Sequence, residues 1–374
     1  MGQKRRIIVS VTNDLSTDQR VHKVCTFLHE NGWLVTLVGR KLPNSLLLDR
    51  PYKTKRMRLW FNKGPLFYAN YTIRLFLFLL FNKSKVLLSN DLDTLLANYC
   101  ASKLVRSIVV YDSHELFTEV PELVHRPKIQ RVWLRIEKFI FPRLQNVYTV
   151  NESIAAIYSE KYNVPVRVVR NISEKWMPKE LKSKNELGLP EDKKIIILQG
   201  AGINIDRGAE EAVEAIKLLG ENVLFLIIGS GDVVPLLEQK VKAEQLTDKV
   251  WILGRRPYSE MMNYTYHADI GLTLDKNTNA NYRYSLPNKL FDYIHTSTAI
   301  VASDLVEVKS VIQQYDVGEI ITSHDPNEIA KTIANLLGNE ERLETLKRNC
   351  KNAAQELSWE KEKEVLNAIF DPLK

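Results

Sequence analysis

The sequence predicts an α/β protein built from two doubly wound parallel-sheet domains in tandem, and three observations carry that expectation. The chain has 374 residues, more than one compact core usually holds and roughly what two domains of 150 to 200 residues need. Short apolar runs alternate with helical patterns in two separate series, as parallel strands joined by crossover helices do. Between the series the apolar periodicity lapses over a polar, proline-bearing stretch, residues 172–194, the best candidate for a linker. With 45% hydrophobic and 26% charged residues, the composition is that of a globular chain and gives no sign of disorder.

The first series opens with "RRIIVSV", a strand, then "STDQRVHKVCTFLHENG", an amphipathic helix closing at Gly32, and "WLVTLVG", the next strand. "KVLLSND", "SIVVYDSHE" and "NVYTVNES" follow, each an apolar strand that ends in polar residues where a helix begins. The second series runs through "KIIILQGAG", a helix over about 208–219, "VLFLIIGSGD", a helix near 235–244, "KVWILGRR", a further helix, "ADIGLTL", "SLPNKLFDYI" and "AIVASD". Near the end, "SWEKEKEVLNAIF" reads as a helix with Trp359, Val365, Leu366 and Ile369 apolar. In sheets of this kind ligands lie outside the carboxyl ends of the strands, so the polar residues there are the candidates for chemistry.

Charge is distributed unevenly. Residues 1–170 carry 27 basic and 13 acidic groups and the remainder 25 and 32, so a net +14 faces a net −7 and the two halves suit different partners. The basic excess peaks from Arg50 to Lys85, which holds nine Lys or Arg and no Asp or Glu, interleaved with Trp60, Phe61, Phe67, Tyr68 and the run "LFLFLLF", Leu75 to Phe81. That run is shorter than the about 20 apolar residues that span a bilayer. Two readings stay open: a surface that rests on an anionic membrane, or a core helix with a solvated basic flank. No nucleic-acid signature accompanies the charge, so no nucleic-acid partner is expected. Cys25, Cys100 and Cys350 are odd in number and widely spaced, which argues against a disulfide framework or a zinc site. The opening "MGQKRRIIVSV" is too short in apolar length for a signal peptide, and Arg6 stands where a myristoylation motif wants Ser or Thr. These readings point to a cytoplasmic protein.

In "QGAGINIDRG", Gln199 to Gly208, a strand ends in a loop containing Gly200 and Gly202, with Arg207 at the start of a helix. Helix-start N–H groups beside a guanidinium suit a phosphate. "GSGD", Gly229 to Asp232, has Val234 where a dinucleotide fingerprint needs its third glycine. In "YRYSLPNKLFDYI", Pro287 suits the first turn of a helix, leaving Ser285 and Leu286 in the preceding loop and putting Asn288 and Asp292 on one face. Lys289 with the positive helix end could hold a diphosphate and Asp292 both hydroxyls of a ribose; alternatively the two side chains form a surface ion pair. His114 and Glu115 lie just past a strand end, where a histidine can donate to a sugar hydroxyl or serve structure alone. Asn13, Asp14, Asp18 and Arg20 gather after the first strand, with Asp18 also suited to capping a helix. The DxD at Asn90 to Asp93 reads as a cap for the helix that follows. No HExxH, GxSxG, P-loop or EF-hand pattern occurs.

Taken in order, "DLSTDQRVHK", "NDLDTLLA", "YDSHELFTE", "VYTVNESIAAIYSEKY", "QGAGINIDRG", "LIIGSGD", "LGRRPYSEM", "ADIGLTL", "SLPNKLFDYI" and "AIVASD" resemble the retaining nucleotide-sugar glycosyltransferases of GT-B fold, glycosyltransferase family 4. The resemblance implies two Rossmann-like domains facing a cleft. The first, residues 1–171, would take the acceptor, with a final helix at about 358–374 crossing back to it. The second, residues 195–357, would bind the donor. It implies further that Arg207 is the basic diphosphate ligand and Asp292 the second acid of E-x7-E, that His114 stands near the transferred sugar, and that Gly254 and Arg255 flank the base. Catalytic weight would fall on His114, Arg207 and Lys289. The donor would also meet Gly200, Gly202, Gly229, Ser285, Leu286, Pro287 and Asn288, and the acceptor Asn13, Asp14, Asp18, Arg20 and Glu115. No metal or other cofactor is implied. The implied reaction moves a hexose-type sugar from a nucleotide diphosphate sugar, UDP-linked by family frequency, to a glycan or lipid-linked acceptor with retention, in cell-surface polysaccharide or glycolipid synthesis, on the cytoplasmic side of the membrane. Three departures stand out: Tyr284 replaces the first acid of E-x7-E, Ala201 an expected arginine, and Asn13 and Asp14 a glycine pair. A nucleotide-sugar epimerase of the same fold and a non-catalytic, membrane-docking binding subunit are the alternatives.

Overall fold

The computed structural model describes residues 5–16, 18–177 and 180–374. The Met-Gly opening and two residues of the expected linker, Pro178 and Lys179, lie outside the described residues, as does Thr17 of the first predicted helix. The chain divides into two compact units, Met1–Asn171 with Glu362–Lys374, and Ile172–Lys361.

The first unit runs β1 (Arg6–Asp14), α1 (Gln19–Glu30), β2 (Leu34–Arg40), β3 (Lys53–Met57), α2 (Gly64–Phe81), β4 (Val86–Asn90), α3 (Leu92–Val105), β5 (Ile108–Ser113), α4 (Pro121–Val124), α5 (Pro127–Ile140), β6 (Asn146–Thr149), α6 (Glu152–Tyr162) and β7 (Val166–Val168). Its seven strands form one sheet in the order β3-β2-β1-β4-β5-β6-β7, and every pairing is parallel. The order reverses between β1 and β4, so the loops after these strands diverge and leave a crevice at their carboxyl ends.

The second unit continues with β8 (Lys194–Gly200), α7 (Ala209–Lys217), β9 (Val223–Gly229), α8 (Val234–Ala243), β10 (Val250–Gly254), α9 (Tyr258–Tyr266), β11 (Ile270–Thr273), α10 (Ala280–Arg283), α11 (Asn288–His295), β12 (Ala299–Ser303), α12 (Val306–Tyr315), β13 (Gly318–Ile321), α13 (Pro326–Leu337), α14 (Glu340–Glu356) and α15 (Trp359–Phe370). Its sheet has the order β10-β9-β8-β11-β12-β13, again all parallel, with the reversal between β8 and β11. Residues that alternate along β8 and β9 fill cores on both sheet faces: Ile196, Leu198, Phe225 and Ile227 on one, Ile195, Ile197, Leu224 and Leu226 on the other. From Glu362 onward the last helix packs within the first unit, where Phe370 meets Trp33 edge-on at 6.3 Å.

Three features go beyond the sequence reading. The stretch 172–194 is no free tether, because Ile172 and Leu189 are buried in the core of the second unit. β3 and β13 were not legible. β3 is an edge strand whose Lys53, Lys55 and Arg56 hide any apolar run, and β13 has only four residues. The helix containing the apolar run Leu75 to Phe81 is 18 residues long with a mean hydropathy of 1.3, long and apolar enough by length and composition alone to cross a membrane. Its stripe Phe67, Tyr71, Leu75 and Leu79 nevertheless packs against Ile8, Val38 and Leu87 of the sheet, and the Tyr71 hydroxyl donates to the Val11 carbonyl at 2.6 Å. Spacing of four residues puts that stripe on one face, so one side of α2 is core.

Candidate functional site

At the switch point of the second sheet, the loop after β8 is stitched to the loop after β9. Ile203 N–H donates to the Ser230 carbonyl at 2.9 Å, Asp232 N–H to Asn204 Oδ1 at 3.2 Å and Ile205 N–H to Asp232 Oδ1 at 3.1 Å. A Cβ on Gly229 would come within 1.9 Å of the Gly200 carbonyl oxygen, and one on Gly231 within 1.9 Å of that of Ile203, so glycine permits the approach of the two loops. The N–H of Arg207 is also taken, by Asn204 O at 3.2 Å. These glycines therefore serve loop-to-loop packing, and the N–H groups of Ile203, Ile205 and Arg207 in the loop before α7 are used internally.

The side chains tell a different story. Asp275, two residues past β11, is fully buried. Arg207 Nη1 donates to its Oδ1 at 3.2 Å, and Lys289 Nζ lies 3.6 Å from its Oδ2. Two cations thus share one buried carboxylate. Arg207 also stacks over the Tyr282 ring at 4.7 Å, and its Nε is buried with no hydrogen-bond partner among the described residues. Lys289 is 11% exposed and Asp275 is its one ion-pair partner among the described residues. Burial lowers the pKa of its ammonium, Asp275 opposing and Arg207 reinforcing. Lys289 stands in the first turn of α11, where helix N–H groups and dipole add positive potential. Pro287 is the residue before this helix, with φ −72° and ψ 141°, and not in its first turn as expected.

Lys289 and Asp292 do not form the surface pair. Asp292 is 4% exposed and accepts from Ser173 Oγ at 2.9 Å, Tyr258 OH at 2.8 Å and Gln199 Nε2 at 3.0 Å. Burial raises its pKa, with the bonds from Tyr258 and Ser173 opposing. A carboxylate offers about four acceptor positions, so one remains, on Oδ2, and the expectation of two ribose hydroxyls does not fit the side chain as it stands. Asn288, expected on the same face, is exposed. Ser285 Oγ turns back to the Tyr282 carbonyl at 2.9 Å, and Leu286 packs on the core. Gly254 has φ +65° with open space where a Cβ would sit, and Arg255 is exposed. Sequence reasoning missed Asp275, Tyr258, Gln199 and Ser173. Only Asp275 left a signal, as an acid two residues beyond a strand's carboxyl end.

The first unit has its own cluster at β1, β4 and β5. Arg20, expected toward an acceptor, is 4% exposed. It forks onto Asp112, with Nη2 to Oδ1 at 2.7 Å and Nε to Oδ2 at 3.1 Å, and Nη1 donates to the Val169 carbonyl at 2.9 Å. Although burial works against the charge, Arg20 and His114 bring the Asp112 pKa down to about 2. His114 lies between two carboxylates, Nδ1 3.2 Å from Asp91 and Nε2 3.3 Å from Asp112, and Asn90 Oδ1 is 3.3 Å from Nε2. Both ring nitrogens are engaged, so no N–H is spare for a sugar hydroxyl. Asp91 precedes α3 without capping it through its side chain; its Oδ1 accepts the His114 N–H at 2.8 Å instead. Asp93 accepts from Thr12 Oγ1 at 2.5 Å. Asp18 does cap α1, accepting from Val21 N–H at 3.0 Å, and Asn13 donates to it at 3.3 Å. Asp14 accepts from Ser16 at 3.0 Å and from Ser45 and pairs with Arg56 at 3.4 Å. The carbonyl of Glu115 accepts from Ser113 Oγ at 2.9 Å. Among the described residues no group of three or more His, Cys, Asp or Glu is placed to hold a metal ion.

This cluster predicts a pH dependence of stability. Burial acts to lower the His114 pKa, but Asp91 and Asp112 outweigh it and raise the value from 6.5 to about 9. Stability from this group is therefore full below 6.5 and lost as pH rises through about 9. Burial raises Asp91 to about 7 and Asp93 to about 6, so the folded state retains protons the unfolded chain releases, and stability again rises as pH falls through those values. The Tm of the wild type is expected to drop between about pH 6 and about pH 9.5, and His114→Gln to flatten that slope. Equal slopes in the two proteins would remove His114 from the account.

The comparisons agree with this architecture. Residues 179–356 match the family model of glycosyl transferases group 1. Sucrose-phosphate synthase (tll1590) from Thermosynechococcus elongatus superposes with a TM-score of 0.80 at 17% identity, covering 99% of each chain. Anabaena Alr3699/HepE in complex with UDP-glucose gives 0.77 at 14% identity over 98% of this chain and 99% of that one. WaaG, a glycosyltransferase involved in lipopolysaccharide biosynthesis, gives 0.70 at 12% over 97% and 99%. No curated protein sequence matches the chain. The chain has the GT-B fold, and its residues 179–356 match the glycosyl transferases group 1 family.

Proposed function

We propose that the protein is a glycosyltransferase that moves a hexose-type sugar from a nucleotide diphosphate sugar, with UDP as the favoured carrier, to a hydroxyl of a glycan or lipid-linked acceptor, retaining the anomeric configuration. The observation that carries this reading is the convergence of Arg207 and Lys289 on the buried Asp275. One carboxylate leaves the pair of cations with a net positive charge and an unpaired guanidinium N–H beside a helix start, and an anionic diphosphate satisfies both. The group 1 match over the second unit and a UDP-glucose complex of a protein of the same fold support it.

The chemistry follows from the charge that must be stabilised. The bond from the anomeric carbon to the phosphate oxygen breaks and the acceptor oxygen bonds to that carbon. The acceptor's proton passes to the departing phosphate, and the diphosphate leaves with its charge. Arg207, Lys289 and the first N–H groups of α11 neutralise that charge, which fixed dipoles and cations do best because they need no reorganisation. Asp292 has one free acceptor position for a ribose hydroxyl, and a second hydroxyl must displace Tyr258 or Ser173. The reading places the enzyme on the cytoplasmic side, in assembly of a surface polysaccharide or glycolipid.

A thermal-shift panel of UDP, GDP, ADP and their hexose conjugates, in buffer with EDTA, tests it. A selective rise in Tm with one base is the expected result from ligand linkage. No shift with any nucleotide would sink the proposal.

A further inference from the structure

A second feature, independent of the donor seat, lies where the edge strand β3 meets α2. Two cavities open there, of about 640 and 770 Å³. Arg6, Lys53, Lys55 and Lys83 line the first, and Lys41, Lys55, Arg56, Arg58 and Arg74 the second. No Asp or Glu lines either, and Phe78 and Phe81 contribute to both. Arg56 is drawn inward to Asp14, and Arg74 lies over the Trp60 ring at 5.1 Å while donating to the Arg58 carbonyl. Lys41, Lys53, Lys55, Arg58 and Lys83 have no ion-pair partner among the described residues.

The face of α2 turned away from the core is apolar as well. Phe81 is 84% exposed and Trp60, just before the helix, 78%, with Leu66, Ile73 and Leu77 also exposed. A soluble surface seldom concentrates so much exposed apolar bulk within about 20 residues. Unpaired cations demand an anionic partner, and protruding aliphatic and aromatic side chains demand an apolar one. Nucleic acid supplies the first demand only.

We propose that this face docks on the surface of an anionic phospholipid bilayer. Phe81, Leu77 and Ile73 enter the boundary between headgroups and acyl chains, and the cations of the two cavities contact headgroup phosphates. α2 then lies in the interface and does not span it, because its opposite stripe is held in the core of the first unit.

Co-sedimentation of the full chain with vesicles tests the proposal, using phosphatidylcholine alone and phosphatidylcholine with about one third phosphatidylglycerol. The wild type is expected on the anionic vesicles only, and raised salt is expected to release it. Each headgroup-facing cation contributes about fivefold, so Lys53→Ser, Lys55→Ser and Arg58→Ser together should weaken binding by about 100-fold. Phe81→Ser with Leu77→Ser, which leaves the charge intact, should weaken it as well and abolish quenching of Trp60 by brominated acyl chains, read as the signal lost in Trp60→Phe. All these side chains are exposed, and unchanged Tm values should show that the variants fold. Equal binding to uncharged vesicles, no binding to either, or charge-dependent binding without Trp60 quenching would overturn the proposal. So would RNA that the protein binds while ignoring vesicles, or a dimer dispersed by Phe81→Ser.

Discussion

Replacing Lys289 by Gln is expected to lower kcat/KM for the nucleotide-sugar donor by about 100- to 1000-fold, the usual loss when one preorganised group facing a leaving or developing anion is removed. The size follows from the setting. Lys289 is nearly buried, so water does not screen it, and it shares a single counter-ion with Arg207. Its ammonium is desolvated in advance and held at a helix start, so it meets a diphosphate without paying again for dehydration. Glutamine keeps a donor toward Asp275 and spares the fold from an uncompensated buried carboxylate. Single-turnover kinetics with matched Tm values would check it. An unchanged rate would place the departing diphosphate elsewhere.

The largest effect on stability is expected at Arg20. Arg20→Met leaves Asp112 buried with His114 as its remaining cation and removes the donor to Val169. Removing one partner of a buried ion pair costs about 3–5 kcal/mol, a large part of the roughly 5–15 kcal/mol that holds a domain folded. Urea unfolding should show the loss. The sign with pH is fixed as well: the Asp112 carboxyl sits at about 2 against an ordinary 3.8, so its contribution is present above 3.8 and disappears as pH falls toward 2. In Arg20→Met that acid-side loss should be smaller, because the carboxylate is no longer held low. A urea midpoint close to wild type at neutral pH would contradict the geometry.

Much of the fold was legible because buried parallel strands announce themselves as apolar runs with polar ends, as in "KIIILQGAG" and "SIVVYDSHE". β3 escaped because an edge strand can be cationic, and the polar spelling of 172–194 hides that Ile172 and Leu189 are buried in the core of the second unit. Candidate residues can be picked out by their position at strand ends, but their partners cannot. Nothing in the spelling of "SLPNKLFDYI" shows that Lys289 turns to an aspartate fourteen residues upstream, or that Tyr258 and Ser173 take up Asp292. Such pairings depend on how loops from separate strands meet. The same limit hid the commitment of both His114 nitrogens, since the two carboxylates beside the imidazole, Asp91 and Asp112, come from the ends of two different strands.

The central claim is that Arg207 and Lys289 form the seat of the diphosphate. Calorimetric titration of UDP and of uridine into the wild type, Arg207→Gln and Lys289→Gln tests it most directly. The account predicts that each variant loses at least about tenfold in UDP affinity, the scale of a charge-assisted contact, while binding of uridine, which lacks the phosphates, is the same in variants and wild type. UDP binding unchanged in both variants would contradict it.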